Sequence, residues 1–169
     1  MQQNEPQGAE TAVEPEVWIK SRVFEEFEVG QVYDHHWGRT LNAGDNTLFS
    51  TATVALLPLH LNDAYAQELG HPADPVNPML VFSTVFGLSV EDLSEGRGGG
   101  AFLGVDDLEF LQPVYPGDTV TGRSTVAATR SSSSRPTQGI VTWKTEGRNQ
   151  HGDLVVTFTR TNLIMRREA

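Results

Sequence analysis

The chain has 169 residues, 38% of them hydrophobic and 20% charged, which is the size and composition of one globular domain. Its formal net charge of −10 argues against nucleic acid or an anionic membrane as a partner, because both require a basic footprint. The lack of cysteine excludes disulfides, thiolate metal sites and a cysteine nucleophile, and no apolar run approaches the roughly twenty residues of a membrane-spanning helix.

The first 17 residues are rich in Glu, Gln and Pro and show no apolar periodicity. We therefore expect a disordered tail over residues 1–17 and a single domain over residues 18–169. Because the tail lacks the hydrophobic stretch of a secretory signal, we also expect a cytoplasmic protein.

A short strand is predicted near Val32–Arg39, followed by a helix over Asn42–Leu57. Asn42 can cap this helix, and Asp45 stands three residues later, a spacing that is typical of a helix start. The residues expected on its apolar face are Leu48, Phe49, Ala52 and Leu56.

A second, shorter helix is predicted over Asp63–Leu69, where Asn62 would cap the start and a glycine would end it. A third helix begins after Asn77, because the proline that follows suits the first helical position. From Met79 onward this helix is apolar on nearly every side, so we expect the rest of the fold to enclose it.

The remaining chain is rich in Val, Thr, Phe and Ile, interrupted by turns of Gly, Pro, Asn and Ser. The predicted strands are Ala101–Phe110, Thr119–Thr129, Gly139–Gly147 and Leu154–Met165. In the third of these, Val141, Trp143 and Thr145 alternate with polar neighbours. Long antiparallel strands after one enclosed helix imply a curved sheet wrapped around that helix, a layout of the α+β class.

Two motifs in this order resemble those of the MaoC-like enoyl-thioester hydratases. Residues 58–60, Pro-Leu-His, resemble the end of the family motif Asp-x-Asn-Pro-(Leu/Ile)-His, and residues 108–118 resemble a recurrent strand and turn. Further matches at residues 38–41, 87–90 and 135–152 are similar to the mesaconyl-CoA (β-methylmalyl-CoA) hydratase subgroup. The resemblance implies a hot-dog fold, in which a long antiparallel sheet wraps a central helix.

The resemblance also implies hydration of a 2-enoyl thioester, but the catalytic motif is incomplete. In these enzymes an Asp and a His five residues apart handle the water and the proton, and a backbone N–H at the start of the central helix binds the oxyanion. The histidine position is His60, whereas the Asp position is Ala55 and the motif asparagine is Leu57. The position of the oxyanion donor is Pro78, which has no N–H.

Asp45 and Asp63 are therefore the candidate carboxylates for acid–base catalysis with His60, provided that the fold brings them together. The candidate oxyanion and substrate-binding residues at the helix start are Asn77, Met79 and Leu80. They are candidates because the first N–H groups of a helix lack intrahelical partners and the helix dipole favours negative charge there. The two carboxylates and the asparagine can equally be ordinary helix-cap or first-turn residues.

Arg130 and Arg135 lie at the end of a predicted hairpin. There they can be solvated turn residues, or they can contact the nucleotide phosphates of coenzyme A. The other histidines near the predicted elements show no metal-ligand spacing, so we interpret them as surface residues and expect no metal site. They are His35, His36 and His71.

Three functions follow from this combination of motifs. The first is an enoyl-thioester hydratase or dehydratase acting on a short acyl group, branched or carboxylated, with coenzyme A as part of the substrate and no other cofactor. The second is a catalytically silent hot-dog subunit that supports an active partner. The third is repurposed thioester chemistry, such as hydrolysis, isomerisation or addition of another nucleophile. Because an open sheet edge favours pairing, we expect a homodimer or higher oligomer, or a heteromeric MaoC-like partner.

Overall fold

The computed structural model describes residues 22–95 and 99–167, and the predicted tail lies outside the described residues. The described strands form an antiparallel sheet of five in the order β1-β3-β4-β5-β2. The strands are β1 (Val32–Thr40), β2 (Phe102–Phe110), β3 (Thr119–Ser131), β4 (Gln138–Arg148) and β5 (Leu154–Met165). The helices are α1 (Ala43–Ala52), α2 (Asp63–Glu68) and α3 (Pro78–Leu93), with 3₁₀ turns at Phe24–Glu26 and Pro58–His60.

The hydrophobic core lies between the sheet and one face of α3. Val81 and Val85 of α3 pack with Val120 of β3 and with Val156 and Phe158 of β5, all of them buried. Fully burying one such side chain contributes about 1.5–3 kcal/mol. The predicted α+β layout of a long antiparallel sheet around one helix is therefore confirmed.

The alternation along β4 is also confirmed. Val141, Trp143 and Thr145 are buried, whereas Lys144 between them is exposed. Side chains of a strand point to opposite faces in turn, so this pattern places one face of the strand on the core.

The predicted extent of the first helix is wrong at its C-terminal end, because α1 stops at Ala52 and not at Leu57. Val54 has a φ of 58°, in the left-handed region. The N–H of Ala55 donates to the carbonyl of Ser50 and that of Val54 to the carbonyl of Thr51, which together form a Schellman helix end. A β-branched residue in this conformation is strained, and the turn separates the helix from the motif that contains His60.

The orientation of α1 also differs from the prediction. Leu48, expected to face the core, is 72% exposed, whereas Asn46 and Ser50 are buried. Hydrogen bonds from these two polar side chains to segments elsewhere in the chain outweigh the apolar pattern of the helix.

The expectation that α3 is fully enclosed is wrong for one side of the helix. Met79 is 44% exposed, and Ser83 and Gly87, each one turn further on, are exposed as well. The sheet covers only the opposite face of the helix. Leu48 of α1 and Leu56 of the following loop are large apolar side chains that are exposed as well.

Within the described ranges, no helix is both long and apolar enough to cross a membrane.

Candidate active site

His60 ends the 3₁₀ turn after α1 and is buried. Its Nδ1 lies 2.9 Å from the carbonyl oxygen of Pro75. Because a carbonyl can only accept, Nδ1 carries the hydrogen, and the neutral ring then has an acceptor lone pair on Nε2. Among the described residues, none forms a hydrogen bond with Nε2. The ring is thus oriented as a base with its free nitrogen available.

The buried polar face of α1 holds this histidine in place. The side-chain amide of Asn46 donates to the carbonyl of His60 at 2.8 Å, and its oxygen accepts the N–H of Asn77 at 2.8 Å. The amide of Asn77 donates in turn to Ser50 Oγ at 3.2 Å. These contacts tie α1, the His60 turn and the start of α3 into one unit. Asn46 escaped the sequence analysis, although an Asn and a Ser four residues apart on a helix are a weak signal of a buried polar face.

Two cavities meet at His60. The more enclosed one, of about 240 Å³, is lined mainly by apolar side chains such as Val81, Phe110 and Val155, and also by His71. The second, of about 560 Å³, is more open and is lined by residues 54–58 together with His60, Asn77 and Pro78. The alanine at the motif Asp position lines the open cavity, so no carboxylate faces His60 from that position.

The structure does not place Asp45 in either of these cavities. Asp45 pairs with Arg39 at 2.9 Å, and it forms a capping box with Asn42 at the start of α1. The structural interpretation of this residue as a helix-start acid is thereby confirmed, and its proposed role beside His60 is not supported by its position.

Asp63 lies in the first turn of α2, and its carboxylate accepts the N–H of Asp74 at 2.9 Å. Burial, followed by a hydrogen bond to Asp63, raises the pKa of Asp74, while the charge of His60 acts in the opposite direction. The two carboxylates are therefore neighbours of His60, on the side of the chain that leads into Pro75. Neither lines the cavities at Nε2. The sequence analysis did not identify Asp74, because this residue precedes a proline and belongs to no recognisable motif.

The predicted oxyanion donors at the start of α3 are engaged within the chain, which corrects the expectation that they are free. The N–H of Met79 donates to Asn77 Oδ1 at 3.0 Å, and the N–H of Leu80 donates to the carbonyl of Asn77 at 2.9 Å. Asn77 is thus an N-cap whose side chain satisfies the helix start.

Arg130 and Arg135 lie at the β3–β4 hairpin, as predicted. Arg135 contacts Ser132 and Gln138 of the same turn. Neither arginine lines the cavities at His60.

The interpretation of His71 as a surface residue is wrong. His71 is half-buried and lines the enclosed cavity, and its Nδ1 lies 2.9 Å from the hydroxyl of Tyr115. Burial, followed by the charge of Asp118, raises the pKa of Tyr115. The sequence analysis missed this contact because the two residues are 44 positions apart in the chain.

His35 is likewise buried and not on the surface. Its Nδ1 lies 2.6 Å from Asp92 and its Nε2 lies 2.8 Å from Ser124 Oγ. Burial lowers the pKa of His35, although the hydrogen bond to Asp92 raises it. Ser124 is completely buried, so this chain of contacts braces the sheet against α3 and presents no nucleophile to a substrate.

Arg160 is a second buried polar group of this region. It donates to Ser89 Oγ at 2.7 Å and to Ser94 Oγ at 2.8 Å, and burial lowers its pKa to about 10. Like His35, it joins α3 to the sheet. No set of three His, Asp or Glu side chains among the described residues is arranged to hold a metal ion.

Comparison with known proteins gives a consistent result. A family model described as mesaconyl-CoA hydratase matches residues 7–169. A mesaconyl-CoA hydratase of Haloarcula hispanica is 43% identical over 150 residues, which cover 88% of this chain and 41% of that protein. The chain thus spans about two fifths of the length of the curated relatives that it matches.

Solved structures agree with this match. The crystal structure of a MaoC domain protein dehydratase from Chloroflexus aurantiacus superimposes with a TM-score of 0.81 at 31% identity, over 87% of this chain and 41% of that one. A Mycobacterium tuberculosis protein with a double hot-dog fold superimposes with a TM-score of 0.77 at 25% identity, over 86% of this chain and 44% of that one. The fold of this chain is the hot-dog fold.

Proposed function

Because the chain belongs to the mesaconyl-CoA hydratase family, we propose that it takes part in the hydration of a short 2-enoyl thioester of coenzyme A, or in the reverse dehydration. The chain has about two fifths of the length of its curated relatives, so we assign it a share in this reaction. The observation that carries the proposal is the free Nε2 of His60 at the junction of an enclosed apolar cavity and an open one.

This geometry suits the addition of water to a conjugated thioester. The open cavity would admit the pantetheine arm, and the enclosed cavity would take the short acyl group. Nε2 of His60 would accept a proton from the water that adds to C3, and negative charge would develop on the thioester oxygen as the enolate forms. Transfer of a proton from an acid to C2 would then discharge the enolate and complete the hydration. The carbonyl of Pro75 would keep the imidazole in the tautomer that this step needs, and the amide of Asn46 would hold the backbone of His60 in place.

A second acid and the oxyanion donors are not supplied by the positions of the family motif. We infer that a second hot-dog domain, from another copy or a different chain, covers the open side of α3 and completes the site. Support comes from the exposed apolar residues that line the open cavity, among them Val54, Leu56 and Leu57. The greater length of the relatives and the double hot-dog fold of a structural neighbour point the same way.

Ala55 favours a second candidate function. A chain without the motif carboxylate, and with the N–H groups of Met79 and Leu80 already bonded, can bind an acyl thioester without turning it over. Such a chain would support a catalytic partner. A chain that keeps His60 could instead carry another thioester reaction, such as hydrolysis or isomerisation.

Turnover by the full chain distinguishes the two candidates. We expect the loss of enoyl-thioester absorbance with mesaconyl-CoA to be slowed about 10²- to 10⁴-fold by His60→Gln, because one acid–base group is removed. Binding of the thioester should persist in this variant. His151→Gln, at an exposed turn outside both cavities, is the matched control and should leave turnover unchanged.

The supporting role would be favoured if the wild-type chain and the Ala55→Asp variant both bind the thioester but neither hydrates it. Light scattering at micromolar concentration tests the inferred second domain, since a purely monomeric chain that is fully active would contradict it.

A further inference from the structure

We propose that His71, oriented by Tyr115, binds a carboxylate at the end of the acyl group that is remote from the thioester. This inference rests on the proposed function, and it names the residues that would distinguish an enoyl thioester with a second carboxylate from one without it. It assigns a specificity role to His71, which no motif of the chain marks, and to Tyr115, which lies in the strand and turn of residues 108–118.

The position of the His71 ring is set from two directions. Its backbone N–H donates to the carbonyl of Ala66 at 3.0 Å, just after the glycine turn that ends α2. Its Nδ1 lies 2.9 Å from the hydroxyl of Tyr115. Within the described part of the chain, Nε2 has no hydrogen-bond partner, and the side chain forms part of the wall of the enclosed cavity.

The contact with Tyr115 leaves Nε2 able to donate. When the hydroxyl donates to Nδ1, the neutral imidazole carries its hydrogen on Nε2, and when the ring is protonated both nitrogens are donors. The hydroxyl can also accept from Nδ1, so it permits both neutral tautomers, and a bound carboxylate selects a state in which Nε2 donates. At His60 the carbonyl of Pro75 allows no such choice, and Nε2 of the neutral ring is an acceptor.

The rest of the cavity explains why this donor matters. Apart from His60 and His71, no residue lining it can ionise, and Gln112 is the other polar side chain. A carboxylate is strongly disfavoured in such surroundings unless a partner receives it. The volume of about 240 Å³ is below the range of drug-sized pockets, which suits a short acyl chain that extends from His60 to His71.

The test compares two thioesters that differ only at the remote end. The first is the mesaconyl-CoA isomer whose thioester carbonyl is attached to the methyl-bearing carbon, C2, and whose free carboxylate is attached to C3. The second is tiglyl-CoA, which has a methyl group in place of that carboxylate. Dissociation constants for the full chain are measured by calorimetry. We expect the wild type to prefer mesaconyl-CoA by tenfold or more, the scale of a hydrogen bond to a charged group.

Two variants and a control locate the preference. His71→Leu should weaken binding of mesaconyl-CoA about tenfold or more and leave tiglyl-CoA unchanged. Tyr115→Phe, which keeps the ring and removes only the hydroxyl, should also weaken the binding of mesaconyl-CoA and not that of tiglyl-CoA. Its effect should be smaller than that of His71→Leu. His151→Leu makes the same substitution at an exposed turn and should alter neither constant.

Each other outcome decides against the inference. If His71→Leu weakens the binding of both thioesters equally, His71 only forms part of the cavity wall. If binding is unchanged but turnover of both thioesters is lost, His71 is a catalytic acid. A wild type without preference also overturns the inference while the proposed function stands. If the wild type binds neither thioester, the proposed function itself fails, and the proposed role of His71 fails with it.

Discussion

Replacing Asn46 by alanine tests whether its two hydrogen bonds hold the site together. Asn46 is 1% exposed and lies on the inward face of α1. Its amide donates to the carbonyl of His60, and its oxygen accepts the N–H of Asn77, both at 2.8 Å. Alanine removes both partners at once and leaves a buried carbonyl and a buried N–H without a bond.

The expected loss follows from these two groups. A buried polar group left without its partner costs about 1–3 kcal/mol. Two such groups give about 2–6 kcal/mol, and we expect the lower half of that range because the cavity beside the His60 turn admits water to them. For a domain of this length the melting temperature should fall by roughly 2–4 °C per kcal/mol.

Urea unfolding, monitored by circular dichroism, measures this difference in the free energy of unfolding. An unchanged dependence of that free energy on urea concentration would show that the variant unfolds in the same transition. Asn62→Ala is the matched control, because that exposed cap of α2 makes one side-chain bond, to the N–H of Tyr65, and its loss costs typically about 1 kcal/mol. A loss below about 1 kcal/mol for Asn46→Ala would refute the reasoning. Turnover should fall as well, since the turn that orients His60 is then released.

Three further measurements address the core and the tail. Burial lowers the pKa of His35 below its ordinary 6.5, so the unfolded chain takes up a proton that the folded chain resists. The free energy of unfolding should therefore fall as pH drops below about 6.5, by at most about 1.4 kcal/mol per pH unit, and urea titrations of His35→Gln should show a flatter dependence. Gly147→Ala places a Cβ 2.8 Å from a methyl group of Val85 and should cost about 1–3 kcal/mol in thermal unfolding, whereas Gly87→Ala meets nothing within 4 Å on a helix and should be neutral or stabilising. Deleting residues 1–17, which lack apolar periodicity, should shift the melting temperature by less than about 2 °C, and a larger loss would show that the segment docks.

Much of the fold was predictable because its signals are local. The strand alternation around Trp143 and the Asn-Pro start at Asn77 depend on neighbours within a few residues, and both are seen in the structure. The apolar pattern after Asn42 misled the prediction of α1. The face that a helix buries depends on the groups it packs against. Here Asn46 and Ser50 form hydrogen bonds with distant segments, so the polar face of α1 is buried.

The candidate site divides in the same way. The sequence by itself determined the family, through the order of its motifs, and with it the position of His60 and the absence of a carboxylate at Ala55. The tautomer of His60 was not predictable from the sequence, whereas the cap that Asn77 provides was one of the two interpretations of that residue.

The deciding contacts are long-range. The carbonyl that orients His60 is 15 residues away, and the tyrosine that orients His71 is 44 residues away. Motifs and periodicity report what a residue does with its near neighbours in the chain. Hydrogen bonds between distant segments form only when the sheet has packed against α3, so the tertiary structure alone decided the tautomer of His60, the contact of His71 with Tyr115, and that both histidines line one cavity.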